Sequence, residues 1–147
     1  MKLHQLSLFL ENRPGQLKVP CKILADAGIN IVTLSLADTQ QFGILRLIVR
    51  DWEKAKRVLE AAGCVVNVTE VLAIDVEDRP GGLAGLLDVL DKAGLAIEYM
   101  YAFTCGPRAN RATMVFRFED PDAAIKSLSA AGINPVVGAE LFERMAQ

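Results

Sequence analysis

At 147 residues the chain suits one average domain or two small ones, and 16 Lys plus Arg against 18 Asp plus Glu leave a net charge of -2, which supplies no basic footprint for nucleic acid or an anionic membrane. Hydrophobic residues make up 52%, yet no apolar run approaches the ~18 to 20 residues of a bilayer span, and MKLHQLSLFLENRPG lacks a signal-peptide cleavage pattern. The expectation is a soluble cytoplasmic protein that binds neither nucleic acid nor membrane.

In chain order, LSLFL (6–10) reads as a strand, and ENRPGQL (11–17) as a loop leading into a helix. Leu17, Cys21, Leu24 and Gly28 fall on one face of that helix, which Gly28 can end, and Pro20 lies early enough to cost one hydrogen bond or a slight kink. INIVTLSLA (29–37) is a second strand; a short turn around Gln41, Phe42 and Gly43 leads to a third, ILRLIV (44–49). Asp51 can cap a helix carrying Ala55, Val58, Leu59 and Ala62, which stops at Gly63 before a fourth strand, CVVNVTE (64–70).

From Glu77 the order begins again. EDRPGGL (77–83) repeats ENRPGQL at an offset of 66, and the match continues through Leu24 with Leu90, Gly28 with Gly94 and Ile31 with Ile97. Asp51, Ala55, Leu59 and Gly63 then match Asp120, Ala124, Leu128 and Gly132 at an offset of 69. TCGPRANRA (104–112) holds the three added residues, and its Gly, Pro and Asn mark a turn. The second copy reads VLAIDVE, a helix from Leu83 to Ala93, LAIEYMYAF, ATMVFRF, a helix from Ala123 to Ala131, and a short strand NPVV. Two domains follow, 1–70 and 71–147. Each has the βαββαβ order of a ferredoxin-like α+β fold, an antiparallel sheet with its helices on one face. Each is a thin two-layer sandwich, so the two units are expected to pack on each other and to self-associate.

The repeated RPG has a physical use. Pro fixes φ near ~-65°, Gly tolerates positive φ and close approach, and the following helix N-terminus favours a carboxylate or other anion. A purely structural turn has the same composition.

The motif N-R-P-G-x-L after a first strand, with G-I-N-I at the start of the second, resembles the ACT domain. ENRPGQL with AGINI is especially similar to the ACT unit of phosphoglycerate dehydrogenases, and two fused units spanning the whole chain resemble the stand-alone tandem ACT proteins. The resemblance implies a regulatory module that binds an amino-acid effector at an interface between two ACT units, acts as a homodimer or higher oligomer, and controls an amino-acid biosynthetic enzyme. It carries the ligand loop onto Asn12, Arg13, Pro14, Gly15 and Leu17, and the second polar contact onto Asn30, beside Ile31. Asn12 and Asn30 each offer a carbonyl acceptor and an amide donor, suited to the carboxylate and ammonium of an amino acid, so the first site is the better of the two. In the second copy Asp78 replaces Asn12 and Ala96 replaces Asn30. Asp78 suits an ammonium and repels a carboxylate. Either the second site is silent, or Arg79, Pro80, Gly81, Gly82 and Leu83 form walls for a ligand held by the first unit.

Tyr99, Tyr101 and Phe103 share one strand face where the first copy has Thr33, Ser35 and Ala37. Tyr99 either packs across an interface or lines the effector pocket, and a single bulge would reverse the face. Arg108 and Arg111, in the inserted loop, either meet an anionic ligand or are solvated. Cys21, Cys64 and Cys105 are an odd number and too far apart for a metal motif, so neither a disulfide framework nor a metal site is expected, and Cys21 and Cys64 read as buried small hydrophobes.

Other functions of this strand order leave marks that are missing: aromatic RNA-binding strands, Cys-x-x-Cys in the first loop, or a Gly-rich phosphate loop. His4 is the one histidine, at a chain end, and no nucleophile and base pair is visible. The chain therefore reads as a sensor without catalytic residues, metal or cofactor. The alternative is a structural or regulatory subunit similar to those of acetolactate synthases, with a vestigial effector pocket.

Overall fold

A computed structural model describes residues 1–103 and 110–144. Cys105 and Arg108 of the inserted turn lie outside the described residues. Two compact units emerge: His4–Thr69, the N-terminal unit, and Glu70–Gln147 with Met1–Leu3, the C-terminal unit.

The N-terminal unit contains β1 (Lys2–Glu11), α1 (Lys18–Asp26), β2 (Ile31–Thr39), β3 (Phe42–Val49), α2 (Trp52–Ala61) and the start of β4 (Val66–Glu77). Its strands run β2-β3-β1 with β4 beside β1, so β2 is an edge. The pairings of β1 and β2 with β3 are antiparallel, Leu6 facing Leu47 and Leu36 facing Leu45. Leu6, Leu8, Leu45 and Leu47 point to one face, where Leu24 of α1 and Ala55 and Leu59 of α2 close the core. The α2 start follows from Asp51, whose carboxylate accepts from the Lys54 amide at 3.0 Å.

The C-terminal unit repeats the plan with the rest of β4, α3 (Gly82–Lys92), β5 (Ile97–Ala102), β6 (Arg111–Phe118) and α4 (Pro121–Ala130), the strands ordered β4-β6-β5. Leu72, Ile74, Val76, Phe116 and Phe118 meet Leu86 and Leu90 of α3 and Ala124 and Leu128 of α4. Each of α1 to α4 ends in a glycine at positive φ, namely Gly28, Gly63, Gly94 and Gly132. The amide after each glycine returns to a carbonyl one turn back, as Ile29 does to Leu24 at 2.9 Å, a helix stop only glycine adopts without strain.

These observations establish the α+β, antiparallel, tandem ferredoxin-like class. Three local expectations change. CVVNVTE and VLAIDVE are not two strands: from Val66 to Glu77 they form one, β4, because no turn residue interrupts them. NPVV is not a strand: its one backbone bond to β4 is the Val136 amide to the Ala73 carbonyl at 2.8 Å, Pro135 lacks a donor, and the chain turns into an unanticipated helix, α5 (Gly138–Arg144). Pro20 costs no helix hydrogen bond, since it is the third residue of α1, where amides lack intrahelical acceptors.

Candidate functional site

Both RPG segments are type II turns. The Gln16 amide donates to the Arg13 carbonyl at 3.2 Å and the Gly82 amide to the Arg79 carbonyl at 3.0 Å. Pro stands second and Gly third, at φ +89° for Gly15 and +85° for Gly81, as this turn type demands. Pro14 and Pro80 thus have a structural reason that needs no ligand. Each turn's arginine folds back onto the last residue of the preceding strand, Arg13 on Glu11 and Arg79 on Glu77, as exposed ion pairs.

The turns then diverge. At Gly82 a Cβ would lie 1.9 Å from the Glu77 carbonyl oxygen, so only glycine lets α3 begin there, with Gly81 as its N-cap. Gln16 holds the equivalent place in the first copy, and α1 starts only at Lys18. The expectation of a helix start directly after RPG therefore holds for the second copy alone.

Asn12 holds the first turn in place. Its side-chain amide donates to the Gln40 carbonyl at 3.1 Å and its backbone amide to Gln41 at 3.0 Å, fastening the loop to the β2–β3 connection. The Asp78 backbone amide makes the matching bond to Asn110 at 2.9 Å, and its carboxylate cannot donate a second.

Asn12, Arg13 and Leu17 line a small cavity of about 70 Å³ with Leu10, Gln16 and Leu36. Gly15 opens a shallow groove of about 370 Å³ along α1, with Lys18, Val19, Lys22, Ile23 and Asp26. Asn30 is exposed, and with Ile31 it sits at the other end of the sheet: Thr39 and Glu11 face Phe42 at the loop end, whereas Ile31 faces Val49. The nine residues of β2 at ~3.3 Å each separate Asn30 from Asn12 by roughly 25 to 30 Å within the unit.

In the C-terminal unit Arg79, Gly81 and Gly82 line a larger cavity, about 420 Å³, with Asp75, Glu77, Leu86, Arg111 and Asn134 among its walls. Asp78 and Pro80 are exposed beside it, and Leu83 packs on the core. Sequence reasoning missed Asp75, although a carboxylate within VLAIDVE was a signal. Tyr99 is elsewhere. Register shifts between Ile97 and Tyr99, as between Ile31 and Thr33 in the first copy, so Met100 turns to the core and Tyr99 and Tyr101 to the opposite face, half-buried. Cys21 and Cys64 are half-buried rather than fully so; burial pushes the Cys64 thiol up, away from a reactive thiolate. Among the described residues no His, Cys, Asp and Glu group is arranged for a metal ion, and no helix is long and apolar enough to cross a membrane.

Two ferredoxin-like units in tandem, each with an RPG turn between its first strand and first helix, define a repeated βαββ-based architecture. Residues 1–144 match the family described as the ACT domain pair, and the chain belongs to that family. Similar solved structures include protein BT0572 from Bacteroides thetaiotaomicron, 36% identical, with a TM-score of 0.89 and 97% of each chain covered. The regulatory subunit of aspartate kinase from Thermus thermophilus, in its ligand-free form, is 16% identical, with a TM-score of 0.62 over 88% of this chain and 92% of that one. Its counterpart from Thermus flavus is 15% identical, with a TM-score of 0.60 over 89% and 92%. At these identities the two kinase subunits share the fold alone. No curated protein sequence matches the chain.

Proposed function

We propose that the chain is a cytoplasmic amino-acid sensor, built from ACT domains 1–70 and 71–147, whose effector site is completed between the N-terminal units of two copies. One observation carries this reading: the residues brought together by resemblance to ACT ligand loops, Asn12 to Leu17 and Asn30 with Ile31, stand at opposite ends of the edge strand β2. Antiparallel pairing of β2 with β2 of a second copy sets the RPG turn of one beside Asn30 of the other, twice per dimer. The edge suits such a partner. Leu34 and Leu36 are 42% and 48% exposed, and Val19 on α1 is 51% exposed; an open edge strand carrying exposed leucines is an aggregation hazard. Along the α1 groove the same two-fold places Lys18 of one copy toward Asp26 of the other.

In this arrangement the carboxylate of an amino acid meets the Gly15 turn and the first amides of α1, and its ammonium meets the carbonyl oxygen of Asn30. A ligand bridging two copies binds the dimer better than the monomer, and that difference is all that can drive regulation. The output passes to a partner, an enzyme of amino-acid biosynthesis. The C-terminal turn, with Asp78 and Ala96 in place of the two asparagines, is a weaker or silent site.

The second reading, an interaction subunit with a vestigial pocket, is favoured by the small cavity at the first turn. Thermal melting with each of the twenty amino acids separates the two. An effector at ~100 times its Kd adds ~2.7 kcal/mol, roughly 5 to 10 °C for a chain this size, and Asn30→Ala removes that shift. No shift with any amino acid leaves the interaction subunit as the function.

A further inference from the structure

The small cavity at the first RPG turn owes its size to two residues, Gly43 and Leu36. Gly43 faces Leu10 across the β1–β3 pairing, and Leu36 faces Leu45 across the β2–β3 pairing. Strand alternation puts Leu10, Leu36 and any Cβ at Gly43 on the face of Leu45, the face that packs on α1. Leu17, the N-cap residue of α1, completes the apolar part of the lining. Gly43 does not have positive φ, so its backbone has no need of glycine. Space is the reason: a Cβ there would stand 2.9 Å from Leu36 Cδ1. The C-terminal unit lacks this arrangement. Ala112 faces Val76 where Gly43 faces Leu10, and Ala102 faces Met114 where Leu36 faces Leu45. Neither alanine lines the larger cavity beside the second turn.

We infer that this pocket takes the side chain of the effector and sets its class: an aliphatic amino acid from alanine to valine, with Gly43 and Leu36 as the size gate. The cavity measures about 70 Å³. Since a cavity of ~150 Å³ accepts the six carbons of benzene, there is room for about three. The carboxylate and ammonium stay outside it, at the Gly15 turn and at Asn30 of the second copy. The assignment rests on reading the first turn as an amino-acid site, and it gives the small volume a use: the pocket has to hold a short side chain, not a whole ligand.

Titration calorimetry of the full chain with glycine, alanine, α-aminobutyrate, valine, leucine and phenylalanine is the test. Each carbon added from glycine to valine is expected to tighten binding by roughly fourfold as it leaves water. Leucine, one carbon too large, is expected to bind roughly tenfold or more weaker than valine, and phenylalanine not measurably. Gly43→Ala fills the space of one carbon and displaces the Leu36 tip; it is expected to lower the valine-to-alanine affinity ratio by roughly tenfold. Leu36→Ala opens the pocket and is expected to make leucine bind more tightly than valine. Leu36 lies on the edge strand, so a weakened dimer would lower all affinities together; the ratio between ligands is what the pocket alone moves. An aromatic or long charged amino acid as the tightest ligand, or ratios unchanged in both variants, would overturn the pocket assignment and leave the sensor reading standing. Absence of binding by any amino acid would overturn the sensor reading itself, and the assignment with it.

Discussion

Single residues separate what the repeated heptapeptide shares from what it does not. Gly15 and Gly81 are both required by positive φ, but Gly82 is required by distance, because a Cβ there would collide with the Glu77 carbonyl. Gly82→Ala is expected to destabilise by about 2 to 3 kcal/mol, a Tm loss of roughly 5 to 10 °C, since the backbone of α3 must move. Gly85, one turn on, has open space around it and ordinary helical φ. Gly85→Ala should raise Tm by roughly 2 to 4 °C, the ~0.5 to 1 kcal/mol that glycine costs inside a helix. Calorimetry on the two variants checks both signs; equal effects would mean that helix propensity alone decides, and that the close approach at Glu77 does not matter.

At the scale of elements, the offset repeat carries physical meaning wherever a backbone constraint repeats with it. The four helix-ending glycines and the caps Asp51 and Asp120 were legible as residue types, and Asp120 accepts from the Asp122 and Ala123 amides at 3.0 and 2.9 Å. Asp51→Ala and Asp120→Ala are each expected to cost ~1 kcal/mol, measured by urea unfolding. If Asp51→Ala is neutral, the start of α2 is set by packing instead, where Trp52 stacks on His4 at 4.4 Å between ring centroids. Strand boundaries were less legible. The bulge near Tyr99 reverses side-chain parity without any mark in composition. The strand NPVV and the helix after it depend on which partner β4 offers, a long-range fact that no local window contains.

For the whole molecule, the candidate site was legible as a set of residues but not as a place. Asn12 and Asn30 look adjacent in a motif because only a short helix intervenes, yet a helix that returns along the sheet delivers Asn30 to the far end. If both belong to one site, that site needs a second copy, and two predictions follow from the symmetry. Leu34→Lys places a charge on the exposed edge, where it hardly touches the fold of the monomer; it is expected to turn a dimer into a monomer in analytical ultracentrifugation with Tm changed by no more than a few degrees. A wild-type chain that sediments as a monomer with ligand present removes the two-copy site altogether. The sharper test is complementation. Asn12→Ala and Asn30→Ala homodimers each carry a defect in both of their sites. A mixed dimer of the two variants has one site with both asparagines missing and one with both intact. Mixing them should therefore restore, for the effector found by melting, about half a binding equivalent per heterodimer chain at near wild-type Kd in calorimetry. A site contained within one copy gives no restoration on mixing, because no chain then holds both asparagines.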